Sequence, residues 1–271
     1  MAPAGPQPFF DGLGETAPGR SRHINPEGSS IRERIRVPEG FQRVNPGEGS
    51  FGRFLTDLPL KPHGAEVRLY DGRVKAGEVH EAVIDMDIGR RDLQQCADAV
   101  IRLRAEYLYG QGRFEEIRFS FVNGFTADYS RWRQGYRVAV KGDRAGWVKS
   151  AGYSSGYEDF RSYLEVVFAY AGTLSLAKEL KPVEVSALEI GDVFIQGGSP
   201  GHCAVVVDLA ENPTTGERVF LLAQSYMPAQ DIHVLKNPQD RELSPWYTLD
   251  FGEKLVTPQW TFDRGDLRRF D

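Results

Sequence analysis

Between residues 192 and 226 the chain carries three apolar runs, DVFIQGG, HCAVVVDLA and VFLLAQSY, parted by a Gly/Ser/Pro loop and by the polar turn ENPTTGER. Short β-branched runs closed by turn residues read as strands, and strands joined by short turns pair antiparallel. IHVL, WYTLDF and PQWTFD continue the series, so the last third of the chain is expected to be an antiparallel meander. With strands and helices before it, that order predicts an α+β fold.

The upstream segments predict the helices and the first strands. IRERIRVPEGFQRV and AEVRLYDGRVKAGEVHEAVIDMDI read as strands, with a hairpin turn at Asp71-Gly72. In DLQQCADAVIRLRAEYLYG the apolar positions Leu93, Cys96, Ala97, Val100, Leu103 and Tyr107 recur at helical spacing, with Asp92 as the expected N-cap and Gly110 as the stop. A mixed region follows, with a short helix expected near 127–133. YEDFRSYLEVVFAYAGTLSLAKEL, residues 157–180, reads as one long helix, apolar all round in its middle and ended by Pro182. Residues 1–30, rich in Pro and Gly without apolar periodicity, read as a flexible arm, leaving 31–271 as a single domain.

Composition excludes several classes. At 271 residues and 41% hydrophobic the chain can bury a sizeable core. Its net charge of -5 is spread without long runs, which offers no footprint for nucleic acid. The densest basic group, Arg131, Arg133 and Arg137 interleaved with Trp132 and Tyr136, reads as a solvated helix face and strand. Two cysteines, Cys96 and Cys203, exclude a disulfide scaffold and a thiolate-only zinc site, although they can pair with each other. No stretch has the apolar length of a membrane-spanning helix. MAPAGPQPFFDGLGE lacks the features of a secretory signal, which leaves the compartment open, the cell envelope and exterior included if a signal has been removed.

Three residues stand out chemically. Cys96 falls in the first turn of its predicted helix, where free N–H groups and the helix dipole favour a thiolate; the same position also suits a small core side chain. His202 opens a strand after a glycine-rich loop, accessible yet braced, or else bonded within that loop. Alternation along the strand turns Cys203 to the opposite face, as buried packing. Gln224 interrupts the apolar strand that follows, and a buried amide needs a partner. Across an antiparallel pair it can orient the His202 imidazole as the third member of a Cys-His-polar triad, or it can bond loop backbone.

GDVFIQGGSPGHCAVVVD resembles the histidine-bearing strand pair of NlpC/P60 and related papain-like amidases, and the helix-start cysteine upstream has their order. Over about residues 40–265, on DLQQCADAVIRLRAEYLY, PGHCAVVVD and LLAQSYMPAQDIHVLKN followed by PWY, the chain resembles the uncharacterised bacterial DUF4846 family. The first resemblance implies a papain-like antiparallel sheet packed on helices. It also implies hydrolysis of an amide in a peptide or cell-wall-like substrate, with Cys96 as nucleophile, His202 as base and Gln224 as orienting residue, and no cofactor.

Other polar groups carry less. Asp85 and Asp87 share a strand face suited to a hard cation, with no third ligand in view, and otherwise read as edge-strand carboxylates. His80 and His233 lie far apart and form no zinc motif. Tyr226, Trp246, Tyr247 and Trp260 suit either a groove for a sugar or peptide or the core. The alternatives to a hydrolase are a thiol acyltransferase using the same pair and a non-catalytic binding module in which Cys96 is core.

Overall fold

A computed structural model describes residues 22–271. Its centre is a nine-stranded sheet, counted among the described residues. The strands are β1 (Gln42–Arg43), β2 (His80–Val83), β3 (Lys181–Pro182), β4 (Val193–Gln196), β5 (His202–Glu211), β6 (Arg218–Gln224), β7 (His233–Leu235), β8 (Tyr247–Thr248) and β9 (Leu267–Arg269). Their order is β2-β7-β6-β5-β4-β9-β3, with β1 on the far end of β5 and β8 on β6, and the pairings are antiparallel. The meander expected over 192–235 is therefore present, and the fold is α+β.

Both faces of β5 and β6 are covered, which is why their sequences read as continuous apolar runs. Cys203, Val205 and Val207 of β5 and Leu221 and Ala223 of β6 face the core beneath α1 (Cys96–Gly110), α2 (Tyr157–Tyr170) and α3 (Thr173–Glu179). Ala204 and Val206 with Phe220 and Leu222 face a second core closed by Leu255 and Phe262 of the hairpin Lys254–Val256/Thr261–Asp263. A bulge shifts the register, so that Leu221 opposes Asp208 while Leu222 opposes Val206. The extra residue reverses the alternation, and beyond it Leu209 joins the second core and Ala210 the first.

Several local expectations are corrected. IRERIRVPEGFQRV forms only the two-residue strand β1 and a turn of helix at Ile31–Arg34. Arg34 is buried there, donating from Nε to the Gly28 carbonyl, so solvent-strand alternation never applied. The turn at 69–72 forms with a single bridge, Arg68 to Val74, and the strand that follows stops at Val83. Asp92 is not the N-cap. The helix starts at Cys96 with Gln95 as cap, while Asp92 accepts from the Ala229 amide and the Gln95 side chain. Gly110 does end the helix.

The long helix is two helices, α2 and α3, parted at Ala171 and Gly172, where the Gly172 amide bonds Ser175 Oγ. Of the basic group, Arg137 lies over the Trp132 ring at 4.1 Å and pairs with Asp159 at 2.8 Å. Residues 1–21 of the expected arm lie outside the described residues. Residues 23–30 are held, with Arg36 N donating to the His23 carbonyl and Asn25 N to that of Arg34.

Candidate active site

Cys96 is the first residue of α1, and the helix start is built by a reciprocal cap in which the Gln95 amide donates to Asp98 Oδ2 at 3.0 Å. This fixes the first turn with its free N–H groups beside the thiol. Cys96 is 8% exposed, and it reaches solvent through a cleft of about 550 Å³. One wall of the cleft is the end of α2 and the break before α3, another is the loop 198–201 ahead of β5, and Met227 stands at the third side.

The Cys96 thiol is held down to about 4. The largest cause is a hydrogen bond from the Cys203 thiol; burial opposes it, and hydrogen bonding and Coulombic attraction to His202 and the Ala97 N–H add to it. The two sulfur groups divide one proton: Cys203, fully buried, is pushed well up by desolvation and by Cys96. Asp98 is likewise pushed well up, by burial first and by the charge of Cys96. Its Oδ1 has no partner. A carboxyl that favours its neutral form beside a thiolate avoids two anions in one buried space.

His202 opens β5 opposite Gln196 of β4 and is 2% exposed, so the accessible histidine expected from the loop is instead enclosed. The rings of Tyr226, Trp260 and Phe262 surround it, with centroids 4.9, 5.4 and 5.9 Å away. Its Nε2 lies 2.7 Å from Gln224 Oε1. Gln224 follows the last paired residues of β5 and β6, Ala223 opposite Val205, so it stands diagonally to His202 rather than directly across from it, and the two side chains meet on that diagonal. Gln224 is itself held because its Nε2 donates to Gln259 Oε1 at 3.0 Å. With the amide so oriented, His202 Nε2 carries the hydrogen, and Nδ1 is the ring nitrogen left for proton exchange. Cys96 and Cys203 share the helix-side core, and both Cys203 and His202 act on the Cys96 thiol.

The structure brings together all three residues singled out from sequence. It adds Cys203, Asp98 and Gln259, of which only Asp98 had a local signal, an acidic group three residues after the helix cap. The other polar candidates fall outside the site. Asp85 and Asp87 are exposed beyond the end of β2 rather than paired on a strand face. His80 and His233, distant in sequence, come within 6.0 Å of each other as rings, but among the described residues no group of three ligands could hold a metal. Trp246 and Tyr247 are core, whereas Tyr226 and Trp260 pack on His202.

The fold and site define an α+β protein with a helix-start cysteine set against an antiparallel sheet bearing a histidine–glutamine pair. The chain belongs to the DUF4846 family, whose model, described as a domain of unknown function, matches residues 31–269. No curated protein matches the sequence. No solved structure matches it either. No helix among the described residues is long and apolar enough to cross a membrane.

Proposed function

We propose that this protein is a cysteine hydrolase of papain-like arrangement, an amidase or peptidase acting through Cys96, His202 and Gln224 on a peptide or cell-wall-type amide. The observation that carries the reading is the convergence of a thiol lowered to about 4 with a buried imidazole whose Nε2 is 2.7 Å from a fixed amide oxygen. In outline, the Cys96 thiolate attacks the substrate carbonyl, and the proton held on His202 passes to the departing amine as the C–N bond breaks. His202 then takes a proton from water, whose oxygen attacks the thioester and releases the acid and the thiolate. In this reading the free amides of the first turn of α1 stabilise the oxyanion. Gln224, itself held by Gln259, keeps the ring in one tautomer throughout. A transferase would share every one of these residues, with an amine or alcohol in the place of water.

The test is the pH profile of Cys96 alkylation by iodoacetamide, followed by mass spectrometry in the native protein and in His202→Ala. A profile with its midpoint in the acid range, displaced upward in the variant, supports the pair. Turnover should fall by roughly 10²–10⁴-fold in His202→Ala and vanish in Cys96→Ser. A Cys96 that labels only after unfolding sinks the hydrolase reading and leaves a binding module in its place.

A further inference from the structure

The cleft that gives access to Cys96 is lined by Leu93, Val122, Phe168, Leu174 and Met227 with the alanines 169 and 171, and among the described residues no lysine, arginine or histidine lines it. Three large apolar side chains at its opening stand exposed: Val122 is 51% exposed, Leu174 39% and Met227 59%. Exposed apolar side chains scattered singly are ordinary, but three around one opening that leads to a reactive thiol form a patch with a use. Among the described residues, the acidic side chains lining the cleft are Asp92 and Asp98. Asp92 Oδ1 is already engaged by Gln95 Nε2 and the Ala229 amide, and Asp98 Oδ2 by the Gln95 amide. An anionic group entering here would lose water, find no lysine or arginine among the described lining residues and lie beside two carboxyl groups and the Cys96 sulfur.

Resting on the hydrolase reading, we propose that the group whose carbonyl is attacked at Cys96 is uncharged and apolar, an aliphatic acyl chain or the apolar side chain of a peptide residue. The size of the cleft, about 550 Å³, is that of a site for a small ligand rather than for a single methyl. Specificity then comes from burial of aliphatic surface along Leu174, Met227 and Phe168 and from rejection of carboxylates. A cell-wall-type peptide fits only where an uncharged residue supplies the carbonyl.

The experiment compares 4-nitrophenyl esters of matched length, hexanoyl, adipoyl with its free carboxylate, and 6-aminohexanoyl, together with acetyl and N-acetyl-leucyl esters. Each is run against the full chain and Cys96→Ser. The hexanoyl or leucyl ester should exceed the adipoyl ester in kcat/KM by about 10–100-fold, and the acetyl ester by about tenfold or more. Whichever of hexanoyl and leucyl is faster names the source of the acyl group. Met227→Lys, a change at an exposed side chain, should narrow the gap to adipoyl. Cys96-dependent turnover in which a charged ester matches hexanoyl overturns the proposal while the hydrolase stands.

A second readout needs no turnover: alkylation of native Cys96 by N-butyl iodoacetamide against iodoacetate, each normalised to the unfolded chain. Preference for the neutral reagent by roughly tenfold without ester hydrolysis keeps the apolar cleft and removes the hydrolase. Equal labelling overturns the cleft proposal, and absence of labelling by either reagent overturns both.

Discussion

At the scale of single residues, the site depends on where protons rest. The Cys96 thiol is held low chiefly through hydrogen bonding with Cys203 on the buried face of β5, and His202 contributes after that. Replacing Cys203 by Ala should therefore raise the midpoint of Cys96 alkylation by about one unit or more, whereas Cys203→Ser, which keeps a donor, should restore most of the original profile. Alkylation midpoints of the two variants decide this, and a midpoint unmoved in Cys203→Ala would leave the helix start and His202 as sufficient causes. Cys96, His202 and Gln224 were legible as candidates because each answers to a local rule: a cysteine at a helix start, a histidine at a strand start, an amide breaking an apolar run. Cys203 was legible only as core. Alternation correctly turned it away from His202, but nothing along the chain indicates that the packed face is also where the helix sets its first sulfur. Gln259 left no signal, since it acts on Gln224 from a turn 35 residues downstream.

At the scale of elements, the break between α2 and α3 turns a stretch of apolar helix into a wall of the cleft. Thr173, the first residue of α3, makes its hydroxyl available to both sides of Gly198, donating to the carbonyl at 3.3 Å and accepting from the amide at 3.4 Å. The loop ahead of His202 is thereby strapped to a helix end. Gly201 has no space for a side chain, as a Cβ there would lie 2.6 Å from the Gly198 carbonyl oxygen and 2.8 Å from that of Gln196, with the Thr173 hydroxyl closer still. Gly201→Ala should cost about 1–3 kcal/mol in a urea melt and lower turnover more than the stability loss accounts for, by displacing the start of β5. A variant with native stability and turnover would show the loop to be loosely held. The break escapes the sequence because its apolar periodicity runs on through Ala171 and Gly172, and a lone glycine is tolerated inside helices. Similarly, the buried guanidinium of Arg34 overrode the strand pattern expected around it.

At the scale of the molecule, the N-terminal part of the domain is joined to the sheet through an ion pair whose acid is buried and whose arginine is partly exposed. Arg43 donates from Nε to Asp208 Oδ2 at 2.8 Å and from its terminal nitrogens to the carbonyls of Arg32 and Ile35. Asp208, whose side chain has no exposure, is pushed up to about 6 by burial, against the pull of Arg43. For an acid whose folded value is raised, its favourable contribution is complete below the unfolded value and is lost as pH rises through about 6. Arg43→Met removes the cation that limits that loss. It should therefore destabilise by about 1 kcal/mol in acid, where Asp208 is neutral, and by about 3 kcal/mol at neutral pH, where a lone carboxylate is left buried. Urea midpoints above and below pH 6 read the difference, and a cost that does not change with pH would mean that the two backbone bonds carry the effect.

The placement of β9 has a consequence for synthesis. Residues 267–269 pair with β4 on one side and β3 on the other, so the sheet interior is finished by nearly the last residues of the domain. As the chain emerges, β4 can pair with β5 through a short loop while its other edge waits, open, for a strand that has not been made. A nascent chain stopped short of Leu267 has Cys96, His202 and Gln224 on hand but an unsatisfied edge two strands from β6, a template for pairing with other chains. Truncation at the C-terminal side is thus expected to surface first as insolubility during expression, before any loss of chemistry can be measured.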